Sequence, residues 1–331
     1  MDIQEIVFVL TDRCNASCDV CCFQCSPKRS FLMDESVMRR YIDEASQLGT
    51  VERIGFSGGE ALLYPDLLKR TMRYAKETHG FQSTLVSNGF WAADYQKGLA
   101  LMKELKDCGL NGIRLSTDCF HQKYVSPKTF RNALRILHET GLLDDVSIMD
   151  TVGGTNISTV IENLRPEIYL VPSIMWYPVF LCETTCSNPD LGLEEKDIPR
   201  PCAWDKCSCV DVTGVVMHID GYIYNCCSPY SFDIPKMRLG KIGETTLEEV
   251  RRQRSDPFLD LIRRDSVSWF AKKAKELDPE FHFKETYSNS CELCKDILCN
   301  EELVHKLEPY VKQEVWKLKL NKIMKRDKKD E

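Results

Sequence analysis

The sequence predicts an α/β protein: six strand–helix units forming a parallel sheet rolled into a partial barrel with its helices outside, then a cysteine-rich extension and terminal helices. Two patterns carry that prediction. From residue 5 to about 181, short apolar runs alternate strictly with longer amphipathic ones; beyond 181 the alternation stops and cysteines accumulate. The expected boundaries are therefore 1–181 for the barrel, 182–303 for the extension and 304–331 for a basic terminal helix.

The strand runs lie at 6–10, 53–57, 84–87, 112–116, 146–149 and 175–181. Between them, 34–48 places Val37, Met38, Tyr41, Ile42 and Ala45 on one helical face, and 67–75 and 99–105 repeat the period. Crossovers in such a sheet are right-handed, and a barrel built this way keeps its reactive groups at the C-terminal ends of its strands. The polar signatures fall there. Cys14, Cys18 and Cys21 follow the first strand, Gly58-Gly59-Glu60 the second, Asn88-Gly89 the third, and Ser116 to His121 the fourth. Farther on, 210–225 reads as a hairpin turning at Asp220-Gly221, 246–278 as helices, and 291–299 as another cysteine loop. Near the end, Val311, Val315, Leu318 and Met324 recur at helical spacing among lysines and arginines, as in a solvated helix.

Composition narrows the function. The chain has 331 residues, 43% hydrophobic and 28% charged, and no apolar run approaches a membrane span. Its net charge of -6 has the wrong sign for a nucleic-acid binder. The 17 cysteines are the outlier, and they cluster at 14–25, 182–227 and 291–299, with only Cys108 and Cys119 apart. Three thiolates in a Cys-x3-Cys-x2-Cys loop can hold three corners of a [4Fe-4S] cubane and leave one iron open. A zinc knuckle or a disulfide loop has the same spacing. No His lies near this loop to complete a zinc tetrahedron, and the start, Met-Asp-Ile-Gln-Glu, has neither a basic n-region nor an apolar signal core. Metal ligands in a reducing cytoplasm are the expectation. The first strand begins so near Met1 that no separate leader-binding domain is expected ahead of it.

Cys14-x3-Cys18-x2-Cys21 followed by Gly58-Gly59-Glu60 resembles the radical S-adenosylmethionine (SAM) superfamily. The resemblance implies that SAM chelates the open iron and that one electron cleaves it to methionine and a 5'-deoxyadenosyl radical. Gly58 and Gly59 would let backbone approach the methionine part of SAM, and Glu60 would pair with its ammonium. Ser116 and Asp118 would bind the ribose hydroxyls, or else cap a helix. Asn88 would line the SAM cleft, or else stabilise a left-handed turn before Gly89. Val20 departs from the aromatic residue the family often has there.

The second half resembles the auxiliary-cluster extensions called SPASM and twitch domains. Cys209, Gly221-x4-Cys226 and Cys291-x2-Cys294 fit their signature, with Cys207 nearly as good as Cys209. Because no cysteine follows Cys299, one auxiliary [4Fe-4S] cluster is implied, on Cys209 (or Cys207), Cys226, Cys291 and Cys294. A zinc ribbon on the same four thiolates is the alternative. Cys227 adjoins Cys226, and on a strand two neighbours point to opposite faces, so it is expected to be a free thiol able to give hydrogen to a carbon radical. Its plainer reading is a small buried cysteine.

A narrower resemblance spans nearly the whole chain. Arg13-Cys-Asn-Ala-Ser-Cys-Asp-x-Cys-Cys-Phe-x-Cys-Ser-Pro27, Ser87-Asn-Gly-Phe-Trp91, Asp220-Gly-x-Ile-Tyr-x-Cys-Cys-Ser-Pro229 and the late Cys-x2-Cys look like the radical SAM peptide epimerases of epipeptide biosynthesis. Carried over, a radical takes a Cα hydrogen from an L-residue of a ribosomally made peptide, and Cys227 returns one from the opposite face. Asp211 best matches the carboxylate used near the auxiliary cluster. Cys22 and Cys25 belong only to this narrower likeness, and Cys119, Cys182, Cys186 and Cys202 have no assignment. The implied partners are a precursor peptide and an electron donor such as flavodoxin or ferredoxin, with no nucleic acid and no membrane. Other readings are a peptide cyclase forming thioether or carbon–carbon links, a small-molecule dehydrogenase, and a non-enzymatic metal scaffold.

Overall fold

The computed structural model describes residues 2–150, 157–178, 200, 202–209 and 213–327. Six parallel strands follow in order: β1 (Glu5–Val9), β2 (Arg53–Ser57), β3 (Gln82–Ser87), β4 (Leu110–Ser116), β5 (Leu143–Asp150) and β6 (Ser173–Pro178). Between them run α1 (Glu35–Leu48), α2 (Pro65–His79), α3 (Tyr95–Asp107), α4 (Pro127–Thr140) and α5 (Ile157–Asn163). The alternation expected from the sequence is the alternation the chain adopts. Helix α1 buries Met38, Tyr41, Ile42 and Ala45, starts where Asp34 accepts from Ser36 N, and stops at Gly49 with φ 66°.

The sheet has two unlike faces. Ile6, Phe8, Ile54, Phe56, Leu85, Ile113 and Leu115 are buried in the main core with the apolar sides of the helices. The opposite face carries Glu5, Val7, Gly55 and Thr84. There a Cβ added to Gly55 would lie 3.1 Å from Val7 Cγ2 and 3.4 Å from both Glu5 Oε1 and Thr84 Oγ1. By strand alternation Arg114, registered with Val86, shares this inner face.

After the two-residue β7 (Cys202–Ala203), the strands β8 (Gly214–Met217), β9 (Tyr222–Tyr224) and β10 (Arg238–Lys241) extend the same sheet past β1, in the order β10-β9-β8-β1-β2-β3-β4-β5-β6. The hairpin predicted at Asp220-Gly221 is β8–β9. Gly221 takes φ 85°, and Asp220 accepts from Tyr222 N at 3.0 Å and Tyr224 Oη at 2.6 Å. Strand β8 runs parallel to β1, with Gly214 beside Glu5, and β9 returns with Tyr224 beside Val216. Continuing that register brings Cys226 down to the level of Gly214. Cys226 and Cys227 thus stand near the start of β1, whereas the Cys14–Cys21 loop follows its end. Five residues of strand separate the two levels by roughly 15 Å.

Helices α6 (Leu247–Gln253), α7 (Pro257–Asp265) and α8 (Val267–Leu277) fill the expected helical region, and β11 (Thr286–Tyr287) pairs antiparallel with β7. The cysteine loop expected at 291–299 is instead mostly helix, α9 (Ser290–Leu298), because Asn289 caps it by accepting from Cys291 N and Glu292 N. The last helix, α10 (Glu301–Asp327), is less solvated than its charge suggests: Leu307, Val311 and Val315 are buried, and it packs on α7, α8 and α9. No helix among the described residues is long and apolar enough to cross a membrane.

Candidate active site

The first cysteine loop is folded back on itself by its own backbone. Cys14 N donates to Ser26 O at 3.2 Å, Ser26 N to Asp12 O at 3.3 Å, and Cys21 N to Cys18 O at 3.1 Å. Two amides point at sulfur: Ala16 N donates to Cys14 Sγ at 3.4 Å and Cys25 N to Cys21 Sγ at 3.3 Å. Burial pushes Cys14 up to about 12, and Cys18 rises through burial and the Asp118 carboxylate. Cys21 goes the other way, because the Cys25 thiol and amide both donate to it. Three unoxidised thiols whose charges oppose one another, in one short loop with amides aimed at sulfur, suit an iron–sulfur cluster, whose cationic irons relieve that repulsion. No three His, Cys, Asp or Glu side chains among the described residues are gathered tightly enough for a single ion. A four-iron cubane spreads its thiolates wider than that. Cys25, packed with Phe120 against this loop, was left without a role by the sequence reading.

The glycines after β2 make a close contact within the protein. A Cβ on Gly58 would stand 2.5 Å from Thr11 O, and one on Gly59 would stand 2.2 Å from Arg13 O. Their missing side chains let the β2 loop dock on the cysteine loop, through Gly59 N to Thr11 O at 2.7 Å and Glu60 N to Arg13 O at 2.9 Å. Glu60 is fully buried and already engaged. It accepts from Asn88 N at 2.8 Å, Leu62 N at 3.1 Å and Ser87 Oγ at 3.0 Å. Burial outweighs those donors and lifts its pKa to about 7. Asn88 sends Nδ2 to Asn15 Oδ1 at 2.9 Å and toward Cys14 Sγ at 3.7 Å, so it braces the cysteine loop from the end of β3.

At the end of β4, Ser116 is half-buried, while Asp118 is buried with both oxygens in use. Its Oδ1 accepts from Phe120 N at 2.9 Å and His121 N at 2.8 Å, and its Oδ2 lies 2.8 Å from His121 Nδ1. Asp118 thereby closes the turn that leads into residues 121–123. Burial opposes charge on both partners, yet each ion holds the other, so Asp118 titrates below and His121 above the usual value. An Asp-x-x-His spacing was the available signal for this pair.

The second cysteine group comes from three segments. Cys294 feels Cys291 and Cys209, and Cys226 feels Cys291, so these four thiols share one region although they span residues 209 to 294. Ser228 N donates to Cys226 Sγ at 3.4 Å. Cys207 is joined to Cys202 in a disulfide, an unexpected pairing, while Cys209 is outside any disulfide. Glu292, between the two helical cysteines, was missed by sequence reasoning. It is buried and accepts from Ser288 N at 2.8 Å and Lys284 Nζ at 2.8 Å, with Arg200 Nη2 at 3.3 Å.

Cys226 and Cys227 lie in the segment after β9 rather than on the strand, so strand alternation does not by itself separate them. Cys227 is nonetheless the exposed one of the two, and the charges acting on it include Glu5 and Arg114 of the inner sheet face. Phe23 of the first cysteine loop, with ring centroids 5.6 Å from His218 and 6.0 Å from Phe232, begins an aromatic wall that continues to Tyr224, 4.9 Å from Phe232. Asp211, Cys182 and Cys186 lie outside the described residues.

Residues 8–165 match the family described as the radical SAM superfamily. Over 315 residues the chain is 27% identical to "Putative peptide biosynthesis protein YydG" of Bacillus subtilis (strain 168), covering 92% of this chain and 95% of that one. It is 33% identical over 112 residues to GTP 3',8-cyclase of Aquifex aeolicus (strain VF5), 32% of each chain. The solved structure of native anSMEcpe with bound AdoMet and Cp18Cys peptide covers 96% of this chain and 100% of its own, with TM-score 0.56 and 14% identity, a likeness of fold.

Proposed function

From the match of residues 8–165 to the radical SAM superfamily we propose that this chain inverts L-residues of a ribosomally made precursor peptide to D-residues. The observation that carries the reading is Cys227. It is an exposed thiol about 15 Å of strand below the Cys14–Cys21 loop, beside an inner sheet face lined by Glu5, Thr84 and Arg114. A peptide Cα between the two levels has the radical source on one side and a hydrogen donor on the other. The YydG relative, along nearly its full length, supports a peptide as the substrate.

Cys14, Cys18 and Cys21 would hold three irons of a [4Fe-4S] cluster, braced by Asn88 and by the docked Gly58-Gly59 loop. SAM bound there would supply the chemistry of hydrogen-atom abstraction through a 5'-deoxyadenosyl radical. Cys227 then gives its S–H hydrogen to the opposite face of the Cα radical, and the thiyl left on Cys227 regains one electron and one proton. Cys209, Cys226, Cys291 and Cys294 would hold an auxiliary [4Fe-4S] cluster, which would supply one-electron chemistry there, with flavodoxin or ferredoxin as the electron donor. Asp211 is the proposed carboxylate beside that cluster.

Anaerobic turnover of the precursor peptide in D2O tests the reading. An epimerase product keeps its connectivity and gains one deuterium at each inverted Cα, whereas a cyclase product loses two hydrogens. Cys227→Ala should still cleave SAM and yield no D-residue. Undiminished D-residue formation by that variant removes Cys227 from the reaction.

A further inference from the structure

The second cysteine group has two thiols for one place. Cys207 and Cys209 both fit the spacing of its first ligand, and the fold holds them differently. Cys207 is fully buried and bonded to Cys202, whereas Cys209 is half-buried and outside any disulfide. The disulfide closes a turn that the backbone already closes, since Lys206 N donates to Ala203 O at 2.9 Å and Cys207 N to the same oxygen at 3.1 Å. The turn is pinned from outside as well. Cys202 pairs with Tyr287 in β7–β11, Trp204 stacks on Phe283 with ring centroids 6.0 Å apart, and Ser266 Oγ donates to Cys207 O at 2.7 Å. These contacts, none of which involves sulfur, bring the Cα atoms of Cys202 and Cys207 to 5.7 Å, inside the range a disulfide needs.

Such a bond is a poor staple. A disulfide stabilises most by closing a long loop in the unfolded chain, and this one joins residues only 5 apart. A turn fixed by other contacts suits reversal instead, because the two sulfurs stay within reach after the bond opens. Metal is held by thiolate, so a sulfur inside a disulfide is withheld from it. We propose that Cys202–Cys207 is a redox latch that selects the thiol at the auxiliary metal site. Closed, it leaves the place to Cys209; open, it offers Cys207 as well. Opening takes two electrons and two protons from a dithiol, which departs as its own disulfide. Closing gives two electrons and two protons to a disulfide oxidant such as oxidised glutathione, which departs as two thiols. This inference rests on the reading of Cys226, Cys291 and Cys294, with Cys209, as metal ligands.

The test is an anaerobic cobalt(II) titration of the full chain carrying Cys14→Ala, Cys18→Ala and Cys21→Ala, which removes the first cysteine group. Cobalt binds without added sulfide or thiol, and its thiolate charge-transfer absorption grows with the number of sulfur ligands. In this background Cys209→Ser should lose one thiolate after treatment with oxidised glutathione and regain it after reduction by a dithiol that is then removed. Adding Cys202→Ser, which cannot close the latch, should keep the full absorption after either treatment. Equal absorption of the Cys209→Ser chain in its two states overturns the latch and leaves the metal site standing. A loss on oxidation that persists with Cys202→Ser overturns it too, since another pair is then responsible. A reduced parent that shows no thiolate absorption overturns the metal site itself, and the latch with it. Differential alkylation with mass spectrometry on the wild-type chain needs no variant to fold: oxidised glutathione should link Cys202 to Cys207, a dithiol should release both, and failure of either step overturns the inference.

Discussion

Replacing Gly59 by Ala should separate the two loops on which the radical site is built. The added Cβ would sit 2.2 Å from Arg13 O, 2.6 Å from Arg13 C and 3.1 Å from Cys14 N, all backbone atoms that no rotamer change can move. Relief requires the β2 loop to back away, which sacrifices Gly59 N to Thr11 O and Glu60 N to Arg13 O. Overpacking of about 1–3 kcal/mol and two hydrogen bonds of about 1 kcal/mol each put the loss at about 3–5 kcal/mol. Gly49→Ala is the control. Nothing lies within 4 Å of its Cβ, and only its φ of 66° is strained, so it should cost about 1–2 kcal/mol. Urea unfolding of the apo-protein reads both values. Iron bound per chain after anaerobic reconstitution reads the consequence, because only Gly59→Ala displaces the Cys14 backbone. Equal stability of the two variants, with full iron in both, would refute the docking argument.

Three further outcomes follow from the same geometry. Glu60 binds its proton more tightly folded, at about 7, than unfolded, near 4.5, so its contribution is full below pH 4.5 and lost as pH rises through 7. The stability of the apo wild type relative to Glu60→Gln should therefore fall by about 3 kcal/mol across that window in urea titrations, and a flat difference contradicts the assignment. Asp118→Asn should destabilise by about 3 kcal/mol at pH 6 and lower the His121 pKa in an NMR titration; the His121 contribution in the wild type is present below 6.5 and fades as pH passes its raised folded value. Glu292→Ala leaves Lys284 and Arg200 without their buried acceptor, so iron per chain should drop toward that of Cys291→Ala, and retention of all the iron would mean that Glu292 does not hold the helix that carries Cys291 and Cys294.

The chain order of strands and helices was legible because local pattern decides it: a short apolar run for β1 and a 3.6-residue period for α1 need no distant partner. The Cys-x3-Cys-x2-Cys loop and the Asp220-Gly221 turn were legible for the same reason, since their chemistry is complete within a few residues. What each feature faces is another matter. That Gly58 and Gly59 pack on the Thr11–Arg13 backbone could not be read from their spacing. The sequence presents Cys226 and Cys227 as strand neighbours, and they sit beyond the end of β9. Most of all, only the parallel pairing of β8 with β1 decided that the second cysteine group lies at the opposite end of the sheet from the first. Sheet order depends on which buried edges meet across some two hundred residues, and no local period encodes that. The sequence determined which thiols the protein has; the tertiary structure decided that they stand on two sides of one space.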